Sequence, residues 1–213
     1  MKDYLAAIKE AVIFGKHKEI EDLVGRAIEE NVDLEAIINN GMIAAMDVVG
    51  EMFTESRIFV PEMLVSAMTM KKGLNLVKPL LKGKERRSKG TVMMCTVRGD
   101  IHDIGKNLVI MMLEGAGFDV IDLGVDLDVE KLIDQAERVR PQILGLSALL
   151  TTTMPEMKKV IEVLKEKGLR AKLKVMIGGA PVDSVFAKEI GADGYGKDTS
   201  DAVQLARSFV SKP

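Results

Sequence analysis

The sequence predicts an α/β protein in two parts, an N-terminal four-helix bundle followed by a doubly wound parallel sheet. Three observations lead there. Apolar residues recur at helical spacing from the N-terminus to about residue 81. Beyond Gly90, short apolar runs alternate with amphipathic helical stretches, the pattern of strand–helix–strand units. Between them lies KGKERRSKG, residues 82–90, with five basic residues and no apolar one. It reads as a solvated linker between domains at 1–81 and 91–213.

In the first domain the four helices are LAAIKEAVIFG, EIEDLVGRAIEENV, DLEAIINNGMIAAMDVVGEMF and PEMLVSAMTMKKGLNLVKPLL. Asp33 is placed to cap the third helix, although Ala36 stands where a capping box needs Glu or Gln. Pro61 suits the first turn of the fourth, and the short connections imply antiparallel neighbours. In the second domain TVMMCTV, DVIDLGV, QILGLSALL and LKVMIGG read as buried parallel strands, with ADGYG a weaker fifth. The intervening helices are IGKNLVIMMLEGAG, DVEKLIDQAERV, TMPEMKKVIEVLKEKG, PVDSVFAKEIG and TSDAVQLARSFV. Fourteen methionines beside only 4% aromatics fit helix packing by flexible side chains; a lining for a large flat ligand is the alternative.

Bulk properties narrow the function. A hydrophobic content of 47% excludes general disorder. A net charge of −2 gives no reason to expect nucleic acid, and no apolar run approaches a membrane span. MKDYLAAIKEAV lacks the apolar core and cleavage site of a signal peptide, and Cys95 is the single cysteine, so a cytoplasmic location is expected.

The stretch GDIHDIGKN, residues 99–107, follows the first strand directly and holds one of only two histidines. In a doubly wound sheet, ligands bind beyond the carboxyl ends of the strands, where the strand order reverses. With a flavodoxin/Rossmann-like order, the loops VRGDIHDIG and SALLTTTM lie side by side, so that His102 faces a row of hydroxyl residues. The fourth strand ends in Gly178 and Gly179, where missing side chains would let a ligand reach the backbone.

Several chemistries fail on spacing. Five residues separate Gly99 from the Gly105–Lys106 pair where a phosphate loop needs four, and Asn107 replaces its Ser/Thr. No G-x-G-x-x-G follows the first strand, one histidine is too few for zinc, and Cys95 sits inside an apolar strand. Ser147, His102 and Asp100 could form a hydrolase triad, but Ser147 lacks a nucleophile elbow. Two readings of His102 stay open: a solvated or capping loop histidine, or an imidazole held by a carboxylate as axial ligand to a metal already chelated by a macrocycle.

At these residues the sequence resembles the cobalamin-binding module of methionine synthase and, over essentially the whole chain, the corrinoid proteins of three-component methyltransferase systems. The shared signature is D-x-H-x-x-G (Asp100, His102, Gly105), then S-x-L (Ser147, Leu149), then Gly178–Gly179, at the ends of the first, third and fourth strands. The resemblance implies cobalamin or a related corrinoid as cofactor, methylcobalamin in the loaded state, bound base-off/His-on. His102 would replace the cofactor's own benzimidazole as lower axial ligand to cobalt, and the nucleotide tail would enter the α/β domain. Gly105, Ser147, Leu149, Thr151, Gly178 and Gly179 would line the tail pocket, with Asp103 also among the cofactor-binding residues. Asp100 would accept a hydrogen bond from the other imidazole nitrogen and reach Thr153, where methionine synthases have serine. Proton uptake by this Asp100–His102–Thr153 relay would accompany loss of the methyl group. In the family the bundle covers the methyl face of the corrin, and its cap positions align with Phe53, Val60 and Met63; the plain alternative for these three is bundle core.

The function so implied is a methyl carrier that does not turn over alone, with no catalytic residue on the protein beyond the relay. A substrate-specific methyltransferase would load the cobalt, an acceptor methyltransferase would pass the methyl to tetrahydrofolate or a thiol, and a reductive activator would rescue Co(II). Two other readings exist. Cobalamin-dependent sensors carry a DNA-binding domain ahead of the bundle and a tryptophan in it, whereas this chain begins at the bundle and has no Trp. Small subunits of cobalamin-dependent mutases share D-x-H-x-x-G but need no bundle.

Overall fold

The computed structural model describes residues 3–81 and 88–211, which form two compact units, one helical and one built on a sheet. Residues 82–87 of the expected linker lie outside the described residues.

The helical unit consists of α1 (Tyr4–Ile13), α2 (Ile20–Glu29), a long third helix and α5 (Val60–Val77), which ends in a 3-10 turn at Lys78–Leu81. Asp3 and Asp33 cap their helices by accepting the N–H groups of Ala6 at 3.1 Å and Ala36 at 2.9 Å, so Asp33 works without a capping-box partner. Pro61 lies in the first turn of α5, whose start is tied by the Phe59 N–H to the Glu62 carboxylate at 3.1 Å.

The third helix departs from regular α geometry. It runs through α3 (Leu34–Ala36), a π-helical segment (Ile37–Ile43) and α4 (Ala44–Thr54). In a π turn residues five apart align, so Ile37 and Ile38 stack over Met42 and Ile43, all buried, while Asn39 and Asn40 stay exposed. Gly41 lets this segment approach Ile8 of α1, and Gly73 of α5 leaves room for Met42 and Ile20. The core comprises Ile8 and Val12, Ile20 and Val24, Val49, and Met70 and Leu74, with Met63 also buried.

The sheet unit has five parallel strands, β1 (Thr91–Thr96), β2 (Asp119–Asp122), β3 (Ile143–Ser147), β4 (Lys174–Gly178) and β5 (Gly194–Tyr195), in the order β2-β1-β3-β4-β5. This is the flavodoxin-like order, with the switch point between β1 and β3. The helices are α6 (Ile104–Gly115), α7 (Val129–Val139), α8 (Met154–Glu166), α9 (Ser184–Ile190) and α10 (Thr199–Val210). Strands buried on both faces need apolar residues at every position. One face carries Met93, Cys95, Leu144, Leu146, Val175 and Ile177 into a core with Leu132 and Ile133 of α7 and Met157, Ile161 and Leu164 of α8. On the other, Gly145 leaves space for the Met94 and Met176 side chains. Met94 and Met176 thus serve packing.

The second strand is shorter than DVIDLGV suggests. Pairing stops at Asp122, because Gly124 turns the chain at φ 85°, and a single bridge from Val97 to Leu127 resumes it. The weak fifth strand is present with two residues. Among the described residues, no helix is long and apolar enough to cross a membrane.

Candidate functional site

The in-register pairs Thr96↔Ser147 and Ser147↔Gly178 set the ends of β1, β3 and β4 side by side. The loop after β1 and the turn before α8 therefore meet at the switch point.

Asp100 occupies the middle of that junction and is 0% exposed. Its Oδ1 accepts the His102 ring nitrogen Nδ1 at 2.7 Å and the His102 N–H at 3.0 Å. Its Oδ2 accepts the N–H groups of Leu149 at 2.7 Å and Leu150 at 3.2 Å and the Thr153 hydroxyl at 2.9 Å. Burial by itself would push this carboxyl up. The hydrogen bonds from the His102 and Leu149 backbones, the His102 ring and Thr153 outweigh it and hold Asp100 far below the usual carboxylate range.

An ionised Asp100 can only accept, so His102 Nδ1 is the donor of this bond, and in the neutral imidazole Nε2 is left as the acceptor. Among the described residues nothing bonds to Nε2. The His102 side chain is 47% exposed, and its backbone carbonyl is anchored by the buried Thr96 hydroxyl at 2.9 Å. The imidazole is thus fixed at its base and open at its tip, as a metal ligand with an outer-shell carboxylate should be.

Around it the same two loops expose aliphatic side chains: Ile101 and Ile104 at 73% and 77%, and Leu149 and Leu150 less so. A Cβ added to Gly105 would meet no atom within 4 Å. These observations suit a broad, partly apolar ligand laid over the imidazole, and a corrin with its amide-bearing rim is such a ligand.

The other expected site residues fall into distinct environments. Thr153 is buried and bonded to Asp100, but Thr151 is exposed, so the hydroxyl row contributes one bonded member. Ser147 is half-buried at the end of β3. Asp103 is exposed and accepts the Asn107 amide at 3.0 Å, which ties the first turn of α6. Gly178 passes close to the Gly196 carbonyl, and at Gly179, φ 134°, an added Cβ would collide with the Ala148 carbonyl. The need for glycine at 179 is therefore set within the protein. In the helical unit Phe53 is half-buried, Val60 is 39% exposed and Met63 is buried, so the three do not share one degree of exposure. Among the described residues, no group of three or more His, Cys, Asp or Glu side chains could hold a bare metal ion. Cys95 is fully buried in β1, and burial pushes its thiol up to about 12.

Sequence reasoning missed the two backbone donors at Leu149 and Leu150, which no side chain announces. It also missed Thr96, whose signal is a lone hydroxyl at the end of an apolar strand.

Comparison with known proteins shows the family. Profiles of B12 binding domains match residues 90–204 and residues 4–78. The chain is 43% identical over 211 residues to a corrinoid protein of Desulfitobacterium hafniense, with 98% of each chain covered. It is 38% identical over 211 residues to trimethylamine corrinoid protein 1 of Methanosarcina acetivorans, again with 98% of each covered. Among solved structures it is similar to the methanol:cobalamin methyltransferase complex of Methanosarcina barkeri, at 32% identity, TM-score 0.88, and coverage of 99% of this chain and 81% of the other. A cobalamin-binding protein of Desulfitobacterium hafniense matches at 31% identity and TM-score 0.82, covering 99% and 100%.

Proposed function

Since the chain belongs to the B12-binding corrinoid proteins of methyltransferase systems, with cobalamin or a related corrinoid as cofactor, we propose that it carries methyl groups on a base-off/His-on corrinoid whose axial protein ligand is His102. The observation that carries the reading is the imidazole itself: Nδ1 is held by a buried, ionised Asp100 and Nε2 has no partner among the described residues. When bound, the corrinoid supplies a cobalt centre that accepts and releases the methyl group.

The chain's own residues do the rest. Asp100 fixes the tautomer and orientation of the ring. Thr153 has one proton for two acceptors, Asp100 Oδ2 and the Leu150 carbonyl, both at 2.9 Å. It donates to Asp100 while the carboxylate is ionised. With Asp100 ionised, Thr153 completes the Asp100–His102–Thr153 relay as a donor to Oδ2, and the Leu150 carbonyl is its alternative acceptor. Gly105, Ser147, Leu149, Thr151, Gly178 and Gly179 would hold the tail of the cofactor, with Asp103 at the start of α6. Phe53, Val60 and Met63 of the helical unit are the proposed cap residues, which would exclude water from the cofactor; of the three Val60 is exposed and Met63 is buried.

Carrier function implies partners. A methyltransferase loads the protein, as the likeness to a methyltransferase complex supports. An acceptor methyltransferase passes the methyl to tetrahydrofolate or a thiol, and an activator restores the reduced cobalt. The test uses the reduced, corrinoid-loaded protein with isotopically labelled methylamines or methanol. Label should comigrate with the protein when a matching methyltransferase is present and not when the protein is incubated alone. Label that never stays on the protein, in the presence of a methyltransferase that docks, would contradict carriage.

A further inference from the structure

The histidine loop is held on one side by the β3–α8 turn through Leu149, Leu150 and Thr153. On its other side lies the segment after β2, and one residue there grips the loop twice. Asp126 Oδ1 accepts the Gly99 N–H at 2.7 Å, and the Asp126 N–H donates to the Asp100 carbonyl at 2.9 Å. Both contacts fall on Gly99 and Asp100, three and two residues before His102, and they set the direction of the Asp100 carboxylate.

Asp126 can do this because its backbone is left-handed, φ 51°, a region that Asp tolerates better than most residues. The flanking chain is pinned. Leu127 bridges Val97, and its N–H reaches the Thr96 carbonyl at 3.2 Å. Upstream, Asp122 Oδ1 accepts the Gly124 N–H at 2.9 Å and the buried Lys106 ammonium at 2.6 Å. Downstream, Asp128 pairs with Arg98 at 3.0 Å. The segment is thus a rigid support, and Asp126 is its point of contact with the Gly99–Asp100 peptide.

We infer that Asp126 is a positioning residue for the axial histidine, fixing the Gly99–Asp100 peptide so that Asp100 stays aligned with His102 Nδ1 and Nε2 points out of the loop. The inference rests on the reading of His102 as axial ligand. Without the Asp126 carboxylate, Gly99, itself at φ 79°, loses the acceptor that fixes its N–H.

Two full-chain variants separate the side chain from the backbone. Asp126→Gly keeps the left-handed conformation without strain and removes the acceptor, whereas Asp126→Asn keeps both an acceptor oxygen and the tolerance for φ > 0. Three readouts apply: thermal melting, exchange of the Gly99 amide in ligand-free protein, and titration with hydroxocobalamin followed by the nitrogen splitting of the Co(II) signal after reduction. For Asp126→Gly, melting close to wild type, about tenfold faster Gly99 exchange and about tenfold weaker formation of the histidine-ligated form are expected. Asp126→Asn should stay near wild type in all three. Gly99 exchange and histidine ligation unchanged in Asp126→Gly, or equally damaged in Asp126→Asn, would overturn the inference. If wild type never shows nitrogen ligation, the corrinoid reading has failed instead, and Gly99 exchange alone decides whether Asp126 holds the loop.

Discussion

Removing the Asp100 carboxylate should cost far more stability than removing the hydroxyl that touches it, although both belong to one buried cluster. Five donors converge on Asp100: the His102 N–H and ring Nδ1, the Leu149 and Leu150 N–H groups, and Thr153 Oγ1. In Asp100→Ala the half-exposed His102 ring can turn to water and Thr153 can donate to the Leu150 carbonyl. Three backbone N–H groups are left, at about 1–3 kcal/mol each when unsatisfied, with water relieving part. A loss of about 3–5 kcal/mol follows, in line with breaking other buried charged groups. In Thr153→Val the carboxylate keeps its backbone donors, and the Leu150 carbonyl keeps the N–H groups of Thr153 and Met154 at 3.1 and 3.3 Å, so about 1–2 kcal/mol is expected. The assay is urea denaturation of the ligand-free chain by circular dichroism, with hydrogen exchange in β1 and β3 to assign the transition to the sheet unit. Equal losses in the two variants, or less than about 1 kcal/mol in Asp100→Ala, would refute this accounting of the cluster.

Gly105→Ala and Gly179→Ala should fail in opposite ways: the added Cβ at 105 has open space and leaves melting unchanged while weakening hydroxocobalamin binding, whereas at 179 it strikes the Ala148 carbonyl and lowers the yield of folded protein. Equal melting of the two variants would contradict the contrast. Asp193 links stability to pH. Burial pushes its carboxyl up, but the Val175 N–H, Lys174 and Arg170 outweigh this and hold it below its usual value. A depressed carboxyl contributes stability above the unfolded value and loses it as pH falls through the folded one, so acidification from about pH 5 should destabilise wild type more steeply than Asp193→Asn in urea titrations. Superimposable pH profiles would exclude that contribution. Cys95, buried and with its thiol pushed up to about 12, should resist maleimide near neutral pH and react only after unfolding, as mass spectrometry would show. Labelling of the native protein at the rate of a free thiol would contradict it.

What could be read from sequence was the part written in local patterns. Alternating apolar runs placed the five strands, and the histidine between glycines and carboxylates marked the end of β1 as the site. Thr153 was legible only through its place in the motif. The Leu149 and Leu150 donors were hidden because backbone groups have no residue identity, and their direction depends on how the chain enters α8. Asp126 was hidden for a topological reason: its contact with Gly99 exists only because β2 lies beside β1, and periodicity does not determine strand order. The π segment escaped because IINNGMI fits an α-helix equally well until Gly41 must sit against Ile8. Gly179 was legible as a place of close backbone approach, but that the Ala148 carbonyl already demands glycine there depends on how the two strand ends meet.

The central claim, that His102 is the axial ligand of a bound corrinoid, is tested most directly by titrating the protein with hydroxocobalamin and comparing wild type with His102→Gly in the ultraviolet–visible spectrum. Stoichiometric binding with the spectrum of imidazole-ligated cobalt in wild type, lost in His102→Gly and restored by added free imidazole, is the expected result. A variant spectrum identical to wild type, or no binding by wild type under anaerobic conditions, would contradict it.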